Sequence, residues 1–138
     1  MRLFQISVLL VITLSVGLST GCNVAKDRDA AETAATRIHA QMRNRDFAGI
    51  YNQSASGFRT VPEGEFVSHM TEIQNKLGQI NEIKAVAYET GMDTRVGRTH
   101  TLIFGVRYDH GRVRETLVLV RGNNNEMQLW KLGIEPID

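Results

Sequence analysis

Apolar side chains recur every three or four residues in the first half of this chain and every second residue in the second half. Ala31, Ala34, Ala35, Ile38 and Met42 fall on one helical face, the spacing with which a helix buries a single stripe, and they predict a first helix over residues 30–43. Asp27 or Asp29 is placed to cap it, because a short carboxylate accepts hydrogen bonds from the free amides of a first turn. Arg28 and Glu32 form an i,i+4 pair on its surface. Residues 44–46 break the period, and Asp46 caps a second short helix through Phe47, Ile50 and Tyr51. In the polar loop that follows, Phe58 is the side chain that pins the loop to the core. Thr60-Val61-Pro62-Glu63 has the form of a capping box with proline in the first turn. Phe66, Met70, Ile73 and Leu77 then repeat at helical spacing until Gly78, a natural helix stop.

After Gly78 the period shortens to two. Residues 83–89, 100–108, 113–121 and 127–134 are rich in β-branched and aromatic side chains and are separated by turn signals at 91–97, 109–111 and 122–125, which predicts four antiparallel strands. Three helices followed by a four-stranded meander give an α+β fold, with the helices packed on one face of a curved sheet.

The chain opens differently. Arg2 precedes an uncharged apolar run at residues 6–18, the layout of a secretory signal, and the run is shorter than the roughly 20 apolar residues a membrane-spanning helix needs. It ends in Leu18-Ser19-Thr20-Gly21-Cys22, on the only cysteine of the 138 residues. Ser19 and Gly21 also suit an ordinary signal peptidase, which needs small side chains near the cut. The segment resembles a bacterial lipobox, with Leu18 one position further out than in the commonest form and Ser19 in its place. That resemblance implies a diacylglyceryl group on the Cys22 thiol, cleavage before Cys22 and acylation of the new amino group. A lone cysteine has no disulfide partner in an oxidising compartment, and lipidation would turn its thiol into a thioether. The organisation expected is a signal peptide at 1–21, a lipidated N-terminus and tether at 22–29, and one domain at 30–138. Asn23 after the cysteine implies the periplasmic face of the outer membrane, with the inner membrane as the alternative.

Charge adds an exclusion. All 15 acidic residues lie beyond the signal, and removing Arg2 leaves equal numbers of acidic and basic residues, which is not the strong positive balance of a nucleic-acid binder. Within 95–121, however, six arginines face only Asp109 and Glu115. If His110-Gly111 is a two-residue turn, Arg107 stands opposite Arg114, near Arg112, and like charges across a sheet are unfavourable unless an anion lies between them. Arg107, Arg112 and Arg114 are therefore a candidate anion site, and a turn with a bulge at Gly111 would separate the pair. The same register puts Leu102, Phe104, Val106, Leu117 and Leu119 on the core face. Trp130 alternates with Leu129 and Lys131, sharing a face with Gln128 and Leu132 as a core or cavity wall.

Catalytic motifs are sparse. His39 and His69 lie on different helices and His100 and His110 at opposite ends of one strand, so no local spacing suits a metal. Neither a nucleophile elbow nor a phosphate-binding glycine loop is present, and no cofactor is implied. Asp46-Phe47-Ala48-Gly49-Ile50-Tyr51, Ser56-Gly57-Phe58-Arg59, Glu65-Phe66 and Lys76-Leu77-Gly78 resemble a family of small proteobacterial lipoproteins classed as a domain of unknown function. The resemblance implies a fold similar to the nuclear-transport-factor and cystatin-like superfamily, whose helices fill the concave side of a bent sheet, and carries over no catalytic residue. The leading expectation is a non-enzymatic, lipid-anchored envelope module that binds a partner protein or a small apolar ligand. Its rival is an isomerase-like enzyme with Glu89 or Glu115 as the acid in the cone and Tyr51, Tyr88 or Tyr108 as donor. A cone filled by Phe58, Phe66, Met70 and Trp130 would count against the rival, and a deep, closed pocket holding a buried carboxylate would favour it.

Overall fold

The backbone is helical from Gly21 to Arg43 (α1) without a break in this computed structural model, which describes residues 21–138. The apolar run at 6–18, Leu18, Ser19, Thr20 and the side chain of Cys22 lie outside the described residues. Residues 22–29, read above as a tether, are therefore the first turns of α1, and Asp27 and Asp29 sit inside the helix instead of capping it. Asp27 has another use: it pairs with Arg121 and, at 3.7 Å, with Arg98, tying the start of α1 to the sheet. The alanine stripe packs as its spacing predicts, with Ala31, Ala34, Ala35, Ile38 and Met42 buried and Arg28 bonded to Glu32 at 2.8 Å on the exposed side.

Helix α2 (Phe47–Gln53) is capped by Asp46, whose carboxylate accepts from the Gly49 amide at 3.0 Å, and it buries Phe47 and Ile50. Ala55 donates its amide to the Leu129 carbonyl at 2.8 Å, and Phe58 packs against the core with its ring 5.3 Å from that of Phe66. The capping box does not form. Helix α3 (Glu63–Leu77) has Pro62 at its N-cap with no side-chain hydrogen bond, because Pro62 disfavours a helical backbone at Val61 and the helix starts two residues later than a Thr60 cap would place it. Gly78 ends α3 at a φ of +82°, a backbone that non-glycine residues avoid.

Strands β1 (Ile80–Asp93), β2 (Gly97–Tyr108), β3 (Gly111–Arg121) and β4 (Met127–Pro136) form one antiparallel sheet in sequence order. All three helices pack on one face of it, and the core lies between. The register differs from the two-residue His110-Gly111 turn. Asp109 and His110 make the turn, so Tyr108 pairs with Gly111, Arg107 with Arg112, Phe104 with Glu115 and Leu102 with Leu117. The cause is a clamp at the α3–β1 corner: the Asp109 carboxylate accepts from the Gln79 amide at 2.7 Å and the Asn81 side chain at 3.0 Å, while the amides of Asp109 and His110 donate to the carbonyls of Gln79 and Leu77. These bonds also hold the Asp109 carboxyl below the usual carboxylate range.

Two further irregularities matter. Strand β1 carries a bulge between Ala85 and Ala87, which turns Val86 outward. A second irregularity at Val118/Leu119 leaves Trp130 between the paired residues Leu129 and Lys131. Trp130 thus leaves the face of Leu132 and joins Ala55, Val120, Val96 and Val118 in a separate small cluster, a correction to the shared face expected from strict alternation.

Candidate functional site

Helix α1 packs across β2 to β4 and leaves a gap beside residues 85–88 of β1, while Ile80, Ile83 and Tyr88 of that strand pack against the core. The space that results is a slot of about 440 Å³. Arg28, Glu32 and Thr36 form its lip on α1, at the i, i+4, i+8 positions that place side chains on one helical face, and Val86 and Tyr88 form the lip on β1. Ala35, Ala85, Ala87, Leu102 and Phe104 make the walls, and His39 lies at the inner end. Small side chains, Ala35 on the helix and Ala85 and Ala87 on the strand, line it from both sides.

His39 and Glu115 are the chemical centre of this region. The imidazole Nε2 lies 2.7 Å from Glu115 Oε1, with His39 5% and Glu115 0% exposed. Glu115 is directed inward because it shares the parity of Val113, Leu117 and Leu119 on β3, all fully buried. Its second oxygen has no hydrogen-bond partner. The His39 ring stands edge-on to Phe104, 4.7 Å between centroids, so its orientation is set by both contacts. Nδ1 makes no hydrogen bond among the described residues, and the ring lines the slot. Tyr108, buried on the neighbouring strand, has its hydroxyl pushed up by burial and by the charge of Glu115.

At the outer end, the Tyr88 hydroxyl bonds His100 Nδ1 at 2.8 Å, and burial lowers the His100 imidazole below its ordinary value. Burial also raises Tyr88, with a contribution from Asp27. The Arg28 guanidinium lies over the Tyr88 ring, 5.3 Å from its centroid.

The groups named from the sequence separate accordingly. Glu115 and Tyr108 occupy the same buried region, and His39, which the sequence reading gave no role, completes it. Glu89 is exposed, and the Tyr51 hydroxyl donates to the Val61 carbonyl at 2.6 Å, so neither belongs to the slot. At the far end of the cone Met70 is buried and Phe58 and Phe66 are partly buried against the same core, and with Tyr51, Ile73 and Leu132 they line a second, smaller depression of about 270 Å³. Arg107, Arg112 and Arg114 do share the outer face of the sheet, with Arg107 across from Arg112, Arg114 across from Gly105 on one side and Glu135 on the other, and Arg107 also 3.3 Å from Glu82. Arg107 and Arg114 are thus not opposed, and an acidic side chain already answers Arg107. Trp130 lies beneath Arg95 and Lys131, whose charged groups are 5.2 and 4.2 Å from its ring. Among the described residues no group of three histidine, cysteine or acidic side chains is placed to hold a metal ion, and no helix is long and apolar enough to cross a membrane.

No protein-family model matches the chain, and no curated protein matches it in sequence. Solved structures do resemble it. A protein from Catenulispora acidiphila aligns with a TM-score of 0.59 at 14% identity, covering 83% of this chain and 94% of its own. ActVI-ORFA from Streptomyces coelicolor aligns with a TM-score of 0.58 at 14% identity, covering 81% and 96%. Bd1075 from Bdellovibrio bacteriovorus aligns at 0.57 and 10% identity over 87% of this chain and 44% of its own. At such identities the likeness establishes the fold alone, and that fold is the nuclear-transport-factor-like α+β arrangement of three helices on a four-stranded open sheet.

Proposed function

We propose that this chain is a lipid-anchored module of the bacterial envelope that binds a small apolar ligand in the slot between α1 and β1–β2, without transforming it. The single observation that carries the binding reading is the slot itself: apolar walls with one buried polar group at the inner end, the composition of a small-molecule site. The anchor rests on the lipobox at Leu18, Ser19, Thr20, Gly21 and Cys22, and residence at the outer membrane on Asn23.

One experiment addresses both parts. The full chain is released from envelope membranes in mild detergent and weighed twice, once denatured and once native. Denatured, it should carry the mass of a diacylglyceryl and an acyl group on a chain beginning at Cys22, and Cys22→Ala should stay unprocessed. Native, it should hold a small molecule that Ala85→Phe, which fills the slot from β1, no longer retains. A wild-type protein without a ligand, or an Ala85→Phe protein that keeps it, contradicts the binding reading.

A second reading is favoured by one specific observation, the Glu115–His39 contact at the slot. A carboxyl group that fixes an imidazole leaves the other ring nitrogen to accept or return a proton. On a ligand with an acidic C–H beside a carbonyl, His39 would take the proton from one carbon and return it to another, an isomerisation with Glu115 as the positioning residue. Loss of solvent deuterium exchange at the ligand in His39→Gln, with binding retained, is the outcome this reading requires.

A further inference from the structure

Anchor and slot lie on the same helix, and this constrains what the slot can take. The inference rests on the lipid anchor proposed above. Helix α1 is continuous from Gly21, and Ala31 is already fully buried, so no slack separates Cys22 from the folded domain. At about 1.5 Å per residue, Arg28 at the slot's lip is about 9 Å along the helix from Cys22. A headgroup layer is about 5 to 8 Å thick. Asp27, paired with Arg98 and Arg121, ties the anchor end to the sheet.

Two side chains mark the same end as membrane-facing. Val24 is 51% and Met92 74% exposed; Val24 borders a depression with Thr90 and Gly91, next to Met92 on β1. Exposed apolar side chains beside an acyl anchor bury themselves in the lipid interface.

The interior selects the ligand's charge. Arg28, the cation of the lip, is paired with Glu32. Behind His39 stands Glu115, buried and with one oxygen unpartnered, so an anionic head would have to leave water for an apolar surround that offers it no cation of its own. A neutral head loses far less on leaving water and finds one hydrogen-bonding partner in Nδ1 of His39. We infer that the slot takes a neutral, membrane-soluble molecule with one hydroxyl at its head, which donates to Nδ1 of His39, and an apolar tail, and that it is filled directly from the lipid phase.

The test uses the full acylated chain in phosphatidylcholine vesicles containing a diazirine analogue of farnesol or, separately, of palmitate. After illumination, cross-links are mapped by peptide mass spectrometry and the intact mass of the same preparation is read. The farnesol probe should label α1 and β1 around the slot, with at least tenfold less labelling by the palmitate probe. Ala85→Phe should lower the farnesol signal about tenfold, and so should the double variant His39→Leu with Glu115→Leu, which removes the polar partner without leaving an unpaired buried group. Equal labelling by both probes, or labelling elsewhere in an acylated protein, overturns the ligand class. An unacylated intact mass overturns the route from the membrane, and labelling by the same probe in detergent then reports separately on whether the slot binds at all.

Discussion

Glu115 of β3 reaches His39 of α1 across 76 residues of sequence, Oε1 to Nε2 at 2.7 Å, and this contact ties the first helix to the centre of the sheet inside an otherwise apolar core. Removing one partner leaves the other buried and unanswered, which costs far more than removing both. His39→Leu should therefore destabilise the protein by about 1 to 3 kcal/mol, the cost of leaving a buried polar group unsatisfied. The double variant His39→Leu with Glu115→Leu should recover most of that loss. Denaturant unfolding of the two singles and the double reads the coupling, and a single substitution costing under about 1 kcal/mol would show that the contact is not formed in solution.

Gly78 is the hinge between α3 and β1, and it is constrained twice. Its φ is +82°, and a Cβ there would stand 2.6 Å from the Asp109 carboxylate. Gly78→Ala should cost about 1 to 3 kcal/mol, and pairing it with Asp109→Ala should give less than the sum of the singles, since one obstacle disappears with the carboxylate. Additive losses in urea unfolding would mean that the backbone conformation alone sets the cost.

Stability should fall with acid in a window set by His100. Burial keeps its folded imidazole below the ordinary value, whereas the unfolded chain takes up the proton near pH 6.5. The contribution is present above about pH 6.5 and is lost as pH falls toward the folded value, because there the unfolded state binds more protons. Asp93, Asp109 and Glu82, each held low by hydrogen bonds, act only nearer pH 4, where unfolded carboxyl groups titrate. Urea midpoints measured from pH 7.5 to 5 should decline, and His100→Gln should flatten the decline. An unchanged slope in that variant would assign the window to another group.

Arg107 and Arg112 stand directly across from each other on the outer face. A double-mutant cycle with Arg107→Gln and Arg112→Gln should give a repulsive coupling of a few tenths to about 1 kcal/mol, as like charges opposed on a sheet do. The same cycle with Arg107 and Arg114 should give less. A larger coupling in the second cycle would restore the register expected from a His110-Gly111 turn.

Much of this was legible in the sequence, because periodicity reports which face a residue takes. The alanine stripe, the Asp46 cap, the stop at Gly78 and the four strands follow from local pattern. Glu115 was legible too: it keeps the parity of Val113, Leu117 and Leu119, and His39 keeps the stripe of Ala31 and Ala35, so each polar residue was already marked as inward. Their meeting was not, since it depends on how α1 crosses the sheet. The Trp130 face and the β2–β3 register failed for a related reason. A bulge and a turn pinned by Asp109 are fixed by contacts with distant backbone, and neither leaves a trace in alternation.

The central claim, that the slot between α1 and β1–β2 holds a small ligand against His39, is tested most directly by a crystal structure of the full chain purified from its own membranes. The account predicts elongated density between Ala35 of α1 and Ala85 of β1, with its polar end within hydrogen-bond distance of His39 Nδ1. A slot closed by movement of α1 onto β1, or density seated instead in the depression beside Trp130, would contradict it.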